Sequence, residues 1–341
     1  MKILITGGAG YIGSHVAKQL LETTSYDVVI LDNLSTGSFA TIDTLRNIRD
    51  LEFVKTDLSD IKALNKLFQN NVFDVIMHFA ASIIVPESVQ EPIKYYLNNT
   101  VNTTNLINFA IKYKVNKFIF SSTAAVYGDC KQSKTEGINE DFQTNPINPY
   151  GMSKLMSEKI IHDAACANRL FKFIIFRYFN VAGADINFEK ALLSPRIGQS
   201  FPNSTHLIKI ASECANLKRD ELSIFGNDFD TIDGSGVRDY IHVDDLADAH
   251  IRAIQYLDLN PSDIFNVGYG RGYSVKEVVN VMKKVTGVDF KVNISKRRDG
   301  DSAILIANNN KIKEKMFWVP KYDNLELICE SAFKWEKIKN N

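Results

Sequence analysis

The 341-residue chain is predicted to fold as a doubly wound α/β protein, with a parallel sheet covered by helices on both faces. The first observation is a series of short apolar runs in the N-terminal half, which are continuous rather than alternating, as in strands buried on both sides. The second is that helical stretches separate these runs, and the third is a glycine-rich turn directly after the first run. Together they indicate parallel strands joined by crossover helices.

The apolar runs give the order of the elements. Residues 3–5 form the first run, and glycines and a helical segment over 14–22 follow it. The other predicted strands cover 28–31, 52–54, 75–79, 117–121 and 173–178. After about residue 180 this alternation stops, and a loop-rich region extends to 203.

These limits predict two domains. A Rossmann domain covers 1–180, and a smaller C-terminal α/β lobe covers 181–341. Helices are expected in that lobe at 207–217 and 275–286, and a segment at about 237–268 is expected to return to the sheet.

Composition restricts the class of partner. Forty basic and forty acidic side chains cancel, so the chain lacks the positive surplus expected for binding nucleic acid or an anionic membrane. The four cysteines (Cys130, Cys166, Cys214 and Cys329) are scattered, which argues against a zinc site and a disulfide framework. No apolar run approaches the roughly 20 residues that span a bilayer, and the N-terminal run is short for a signal peptide. We therefore expect a cytoplasmic protein without a metal, whose partner is a small molecule.

The turn after the first strand is a candidate dinucleotide-binding loop. Gly7, Gly10 and Gly13 allow a tight turn, close approach of the backbone to a pyrophosphate, and close packing of the following helix on the strand. Asp32 ends the second strand, 19 residues beyond Gly13, where a carboxylate accepts hydrogen bonds from the adenosine ribose. The same carboxylate would repel a 2′-phosphate, and no basic residue lies in 33–37. The sequence therefore favours NAD over NADP.

Three side chains form a candidate catalytic group. Tyr150 and Lys154 lie one helical turn apart, so an ammonium on the same helix face can stabilise the tyrosinate. Thr123 closes a central strand, where hydroxyl groups point to the ligand-binding edge of such a sheet; capping of a turn is the plain alternative. Such a tyrosinate can take a proton from an alcohol while a nicotinamide accepts the hydride.

In these motifs the chain resembles the extended short-chain dehydrogenase/reductase family and, within it, the UDP-hexose (UDP-glucose) 4-epimerases. The similarity extends from the first residues to about Trp335. Its most specific parts are the motifs at 176–184, 236–247, 265–270 and 297–301.

The resemblance implies reversible epimerisation of a UDP-hexose at C4 through a 4-keto sugar, with tightly bound NAD. Asp57 is a candidate for the adenine amine, although an ordinary loop aspartate is an equal alternative. The other cofactor contacts implied are Tyr11, Ile12, Asn33, Leu34, Ser35, Thr36, Gly37, Leu58, Phe79, Ala80, Ala81, Ile83, Asn98 and Phe179, besides Thr123, Tyr150 and Lys154.

The resemblance also implies the residues that hold the substrate. Arg238 and Arg298 would clamp the diphosphate, Asp301 would accept from the uridine ribose, Asn180 would donate to a phosphate, and Phe225 would lie near the uracil. His206 departs from the asparagine often found at its position. The remaining substrate contacts implied are Thr123, Tyr150, His206, Leu207, Ser223 and Leu305.

Other activities are open on the sequence alone. A nucleotide-sugar 4,6-dehydratase needs an Asp-Glu pair after the catalytic threonine, whereas Ala124 and Ala125 stand there, so epimerisation is favoured. A non-catalytic NAD-binding regulator would be expected to lack Tyr150 or Lys154, and an NAD-consuming dehydrogenase would release NADH. His78 and His242 are interpreted as hydrogen-bonded core residues rather than catalysts.

Two further expectations concern selectivity and assembly. Leu305 stands where some relatives carry a bulky tyrosine, so N-acetylated UDP-hexoses (the GlcNAc/GalNAc pair) are predicted to fit as well; ordinary lobe core is the alternative. The resemblance implies that helical segments at 95–113 and 153–165 pair in a homodimer.

Overall fold

The structure, a computed structural model, describes residues 1–129, 136–201, 204–298 and 301–339. The chain divides into two compact units. The first contains Met1–Tyr127, Gln143–Arg177 and Ala247–Phe265, and the second contains Gly128–Phe142, Tyr178–Leu246 and Asn266–Asn341. Cys130, Asp299 and Gly300, which belong to the cysteine set and to one of the motifs, lie outside the described residues.

The elements alternate as the sequence predicts. Up to residue 178 they are β1 (Lys2–Thr6), α1 (Tyr11–Thr23), β2 (Asp27–Asp32), α2 (Phe39–Arg46), β3 (Glu52–Lys55), α3 (Ile61–Asn70), β4 (Val75–His78), α4 (Val85–Gln90), α5 (Pro92–Tyr95), a π-helical turn (Tyr96–Val101), α6 (Asn102–Lys112), β5 (Lys117–Thr123), a 3-10 turn (Ala124–Tyr127), α7 (Pro149–Ala167) and β6 (Lys172–Tyr178). The later elements are β7 (Asn180–Ala182), β8 (Phe188–Glu189), β9 (Leu192–Leu193), α8 (Leu207–Ala215), β10 (Glu221–Phe225), β11 (Val237–His242), α9 (Val243–Leu259), β12 (Asp263–Val267), β13 (Gly272–Ser274), α10 (Val275–Thr286), β14 (Lys291–Ser295), β15 (Ile304–Leu305), α11 (Asn310–Met316) and α12 (Leu325–Ile338).

The first unit is built on a seven-stranded sheet in the order β12-β6-β5-β4-β1-β2-β3. β1 pairs in parallel with β2 and β4, β2 with β3, and β4 with β5. The continuous apolar runs are explained by this arrangement, since strands such as β1 and β4 are buried on both faces. Side chains from α3 and α6 pack against Leu4, Ile76, Phe118 and Ile175 in one core cluster. The predicted doubly wound α/β fold is confirmed.

The topology brings the candidate residues of the first unit to the carboxyl-terminal ends of the strands of this sheet. Because neighbouring parallel strands run in the same direction, the carboxyl ends of β1, β2, β4 and β5 lie together. The glycine loop, Asp32, Phe79 and Thr123 follow or end these strands. The carboxyl ends of these strands are therefore the expected position for a bound dinucleotide.

The second unit has its own sheets. β11 pairs in parallel with β7 and β15 and antiparallel with β13, and β10 and β14 form a separate parallel pair. Helices α8, α10 and α12 pack together. A capping box from Ser274 to Glu277 begins α10, and Gly287 ends it in the left-handed conformation.

The compact units depart from the predicted domain limits in two places. Gly128–Phe142 belongs to the second unit, because Ile138 forms a parallel bridge with Ala307 and exchanges backbone hydrogen bonds of 2.8 Å with Ile306 and Asn308. Of the segment at 237–268, only the later part joins the large sheet, through β12. β11, at Val237–His242, pairs with β7, β13 and β15 instead.

Candidate active site

The glycine loop has the geometry of a phosphate-binding turn. Gly7 has φ +74°, and an added Cβ would lie 2.6 Å from the backbone nitrogen of Ala80. The backbone N–H of Gly7 donates to the carbonyl of Leu31 at 2.8 Å, which ties the turn to β2. Gly10, the N-cap of α1, supplies no side-chain cap. The first N–H groups of α1 are therefore suited to an anionic ligand such as a diphosphate.

Asp32 is a buried carboxylate at the end of β2. It accepts hydrogen bonds from the backbone N–H of Ala9 at 3.0 Å and of Leu34 at 2.8 Å. Burial raises the pKa of Asp32, and the two backbone donors partly oppose this. Each carboxylate oxygen retains acceptor capacity for a ribose hydroxyl.

Asp57 lies beside the segment that follows Asp32. The Asn33 amide donates to its carboxylate at 2.5 Å, and Ser59 donates through both its backbone and its hydroxyl. Burial raises the pKa of Asp57, but the hydrogen bonds outweigh it and hold that pKa below its usual value. The structure thus brings Asn33 and Asp57 together, as a joint cofactor site requires.

The strand end after β4 is tied to the glycine loop. The N–H groups of Phe79 and Ala80 donate to the carbonyl of Thr6 at 2.9 and 3.1 Å. The Asn98 amide donates to the Ser82 hydroxyl at 2.9 Å. Other predicted cofactor residues of the first unit lie in the same loops or helix start, namely Tyr11, Ile12, Ser35, Thr36, Gly37, Leu58, Ala81 and Ile83. Phe179 belongs to the second unit, where its N–H donates to the carbonyl of Val267.

Helix α7 positions the tyrosine and the lysine. Pro149 occupies its first turn, and the Asn148 side chain caps it by accepting from the N–H of Gly151 at 2.9 Å. A Cβ on Gly151 would lie 2.7 Å from the carbonyl oxygen of Ala125, so this glycine allows α7 to start close to the end of β5. Tyr150 is thereby brought to Thr123, whose side chain hydrogen-bonds the phenol.

Thr123 caps a turn and also lies beside Tyr150. Its hydroxyl accepts from the backbone N–H of Ala125 at 3.1 Å, which caps the turn after β5, and it also contacts Tyr150. The cap places this hydroxyl next to the tyrosine. It can relay or share a proton with a substrate alcohol.

Lys154 is buried and bonded to the strand rather than exposed. Its Nζ donates to the carbonyl of Ser121 at 2.8 Å and lies 4.8 Å from the centre of the Phe120 ring. Burial lowers the pKa of Lys154 to about 7, and the negative charge of Glu158 opposes this effect. Burial raises the pKa of Tyr150, with the Thr123 hydrogen bond acting in the opposite direction. In the protein alone, desolvation of the phenol outweighs the stabilisation expected from Lys154.

The two histidines are core residues, as predicted. Nδ1 of His78 is 2.6 Å from the Thr6 hydroxyl, and Nε2 is 2.8 Å from that of Thr103. Burial and the charge of Lys154 lower the pKa of His78 to about 3, so this ring is neutral. Nδ1 of buried His242 accepts from the backbone N–H of Asp244 at 3.1 Å.

In the second unit, two of the predicted substrate residues form a stack. The guanidinium of Arg298 lies 3.7 Å from the centre of the Phe225 ring. Burial lowers the pKa of Arg298, while Asp301 opposes this. The stack keeps the guanidinium edge available for phosphate oxygens. Ser223 lies on the same strand as Phe225, opposite Asn293.

A second pair of predicted residues meets across β11 and β15. Arg238 and Leu305 are register partners, and the Arg238 guanidinium donates to the carbonyl of Val237 at 2.9 Å. Leu305 is half-buried, so it is not a plain core residue.

Asn180, His206 and Leu207 line one open cleft in the second unit. Nδ1 of His206 lies 2.6 Å from the Gln199 amide nitrogen, which can only donate, so the other ring nitrogen carries the proton. Burial lowers the pKa of His206, which keeps the ring neutral. The position therefore still offers one donor to a ligand, as an asparagine would.

Sequence reasoning did not find three residues that support the catalytic group. Ser121, Glu158 and Arg177 contact Lys154 or its neighbours. Glu158 continues the four-residue spacing of Tyr150 and Lys154, and this spacing was the available signal.

Within the described ranges, no three His, Cys, Asp or Glu side chains come together in a way that could hold a metal ion. Among the described helices, none combines the length and apolar character that crossing a bilayer requires.

Comparison with known proteins places the chain in a family. The sequence model of the NAD dependent epimerase/dehydratase family matches residues 3–268. A UDP-glucose 4-epimerase of Azospirillum brasilense is 44% identical over 337 residues, which are 98% of this chain and 92% of that protein. The structure of the UDP-Glc/GlcNAc 4-epimerase from Campylobacter jejuni is similar with a TM-score of 0.85 at 55% identity, covering 99% of each chain. UDP-glucose 4-epimerase from Bifidobacterium longum in complex with NAD⁺ and UDP matches with a TM-score of 0.93 at 34% identity, covering 100% of this chain and 99% of that chain. The chain therefore belongs to the NAD dependent epimerase/dehydratase family.

Proposed function

We propose that this protein is an NAD-dependent UDP-hexose 4-epimerase that interconverts UDP-glucose and UDP-galactose. The observation that carries the proposal is the contact of Tyr150 with Thr123 at the carboxyl end of β5, with Lys154 buried one turn further along α7. Ala124 and Ala125 follow Thr123, so the acid and base that a dehydratase requires at these positions are absent. The full-length similarity to UDP-glucose 4-epimerases supports the same activity.

The residues of the chain fit a bound NAD. The N–H groups that begin α1 would hold its diphosphate, and Asp32 would accept from its adenosine ribose. A bound NAD would supply the acceptor and then the donor of the hydride that leaves C4 of the sugar and returns to its opposite face.

The protein's own part in the reaction is the movement of one proton. Tyr150 takes the proton of the sugar 4-hydroxyl and returns it to the 4-keto sugar after the ring has turned over. Since burial raises the pKa of Tyr150, the phenolate needs nearby positive charge, which Lys154 and the oxidised cofactor provide. Arg238 and Arg298 would hold the diphosphate of the substrate, and a loosely held hexose can then present either face.

The direct test uses purified protein without added NAD. It is incubated separately with UDP-glucose, UDP-galactose, UDP-GlcNAc and UDP-GalNAc, and the products are separated. Formation of the C4 epimer without release of NADH is the expected result. Release of NADH in proportion to product would indicate a dehydrogenase. Loss of water from the sugar would indicate a 4,6-dehydratase, and binding without turnover would indicate a non-catalytic regulator.

We further propose that the enzyme accepts N-acetylated UDP-hexoses. Leu305 is half-buried and pairs with Arg238, so its side chain stands beside a proposed diphosphate contact. The Campylobacter jejuni protein, 55% identical, is named a UDP-Glc/GlcNAc 4-epimerase, which supports this.

Substitution of Leu305 tests this selectivity. Leu305→Tyr adds a ring where the acetamido group needs room, so we expect kcat/KM for UDP-GlcNAc to fall by roughly 10–100-fold. The kcat/KM for UDP-galactose should change by less than about threefold. Leu305→Met conserves volume and is the control, with both activities retained. An equal loss of both activities in Leu305→Tyr would contradict the proposed role.

The protein is proposed to be a cytoplasmic homodimer. The three cysteines that the structure describes are free, which suits a reducing compartment. Ile93, Leu97 and Val101 recur every four residues from α5 into the π-helical turn and are all exposed. Val89 on α4 and Met156 on α7, which contacts these elements, are exposed as well. An exposed apolar stripe of this kind is typical of a protein–protein interface.

A charge in this stripe should prevent association. Leu97, 57% exposed, costs little to replace in a monomer, whereas a carboxylate there would be buried in a dimer. We expect Leu97→Glu to have half the wild-type mass by light scattering. Leu259→Glu, at an exposed apolar position on α9, should keep the wild-type mass. A monomeric wild-type protein would refute the dimer.

A further inference from the structure

A buried carboxylate continues the line of catalytic residues along α7. Tyr150, Lys154 and Glu158 recur every four residues, so they lie on one face of the helix. The side chain of Glu158 is 4% exposed and that of its partner Arg177, on β6, is 6% exposed. Arg177 donates to Glu158 from Nη2 at 2.7 Å and from Nε at 3.2 and 3.3 Å. The guanidinium of Arg177, which donates from two nitrogens, therefore orients the carboxylate of Glu158 as well as neutralising its charge.

The same carboxylate is bonded to the strand that carries Thr123. The hydroxyl of Ser122 donates to Glu158, and the carbonyl of Ser121 accepts from Lys154. Two successive residues of β5 are thus fixed to two successive turns of α7, directly before Thr123. On the far side, Arg177 donates to the hydroxyl of Tyr127 at 3.0 Å and lies 4.9 Å from the centre of its ring. These contacts determine where the end of β5 lies relative to Tyr150.

The charges of this cluster bear directly on Lys154. Arg177 is paired with Glu158, so the cluster has one net positive charge when Lys154 is protonated and none when it is neutral. His78, which faces Lys154 from β4, is neutral, and Tyr150 is the other titratable group on the helix face. A buried ammonium loses its hydration, and Glu158 is the group whose charge favours the protonated form.

We propose that Glu158, paired with Arg177, is a positioning residue for the reaction at Tyr150, whose charge favours the ammonium form of Lys154 and whose hydrogen bonds fix the end of β5. This inference rests on the proposed epimerase function. It assigns the carboxylate no contact with substrate. A hydrophobic replacement of the pair would leave Lys154 without its counter-charge.

The test is the pH profile of kcat for UDP-galactose. Activity requires the ammonium, so it falls as the pH rises through the pKa of Lys154. Glu158→Gln removes the charge but keeps the shape of the side chain. We expect the basic limb of the profile, which is the fall in kcat at high pH, to move to lower pH by about one unit or more. Glu158→Asp keeps the charge and should restore the wild-type limb. Ser122→Ala, the matched control, removes a hydrogen bond to Glu158 without changing charge and should leave the limb in place.

A second variant shifts the profile the other way. Arg177→Gln leaves Glu158 with Lys154 as its cation, so the basic limb should move to higher pH. If either folded variant keeps the wild-type limb, the proposal is wrong. ¹³Cε-lysine NMR, with Lys154→Met to assign the signal, measures the same pKa without activity. An inactive wild type would therefore refute the epimerase, while the NMR titration would still decide the role of Glu158.

Discussion

Tyr150→Phe is expected to lower kcat for UDP-galactose epimerisation by about 10²–10⁴-fold, the usual contribution of a positioned general base. The substitution removes only the phenol oxygen, which Thr123 contacts. The ring stays in place, 6.4 Å from that of Tyr95, so the backbone around the cofactor is undisturbed. NAD should therefore remain bound in the wild-type amount, measured after denaturing the purified protein.

Tyr95→Phe is the matched control for this loss. Its hydroxyl lies 2.7 Å from both the Ile84 carbonyl and the Glu87 carboxylate, which share its one proton, and it has no part in the proposed chemistry. Removing it should cost about 1 kcal/mol of stability and little activity. If Tyr150→Phe kept more than about a tenth of the wild-type kcat, another group would have to be the base.

Gly7→Ala is expected to remove bound NAD. At φ +74° an alanine is strained by about 1–3 kcal/mol. Its Cβ would also lie 2.6 and 2.8 Å from backbone atoms of Ala80, which cannot rotate away. The loop would have to shift, and the N–H groups that begin α1 would lose their alignment with a diphosphate. The cofactor content of the purified variant measures this.

Gly287→Ala is the control that separates backbone strain at positive φ from steric overlap of the added Cβ. Gly287 has φ +70°, but an added Cβ would meet no atom within 4 Å. This variant should lose about 1 kcal/mol of unfolding free energy and keep its NAD. A Gly7→Ala protein with one NAD per chain would show that the turn does not hold the cofactor as described.

The sequence predicts well those features that depend on local pattern. Continuous apolar runs identify β1, β2, β4, β5 and β6, since burial on both faces leaves no room for polar alternation. The position of Tyr150 and Lys154 on one helix face follows from their spacing alone.

Features that depend on distant pairing were not predictable in this way. Ile138 helps to join Gly128–Phe142 to the second unit through its bridge with Ala307, and no local signal marks such a bridge. The stack of Arg298 on Phe225 depends on the pairing of β10 with β14, which begins 70 residues apart, at Glu221 and Lys291. Lys154 was expected beside the tyrosine, but its bond to the Ser121 carbonyl depends on the depth at which α7 packs against β5.

The position of β12 has a consequence for the order in which the protein can fold during synthesis. β6 is complete at Tyr178, but its outer neighbour in the sheet ends only at Val267. A nascent chain therefore carries an unpaired, largely apolar strand edge while roughly ninety further residues are translated, which takes several seconds at about 5–20 residues per second. Such an edge is a template for association with other chains, so this interval is when a chaperone would be most useful. The family's sequence model ends at residue 268, the point at which the edge is closed.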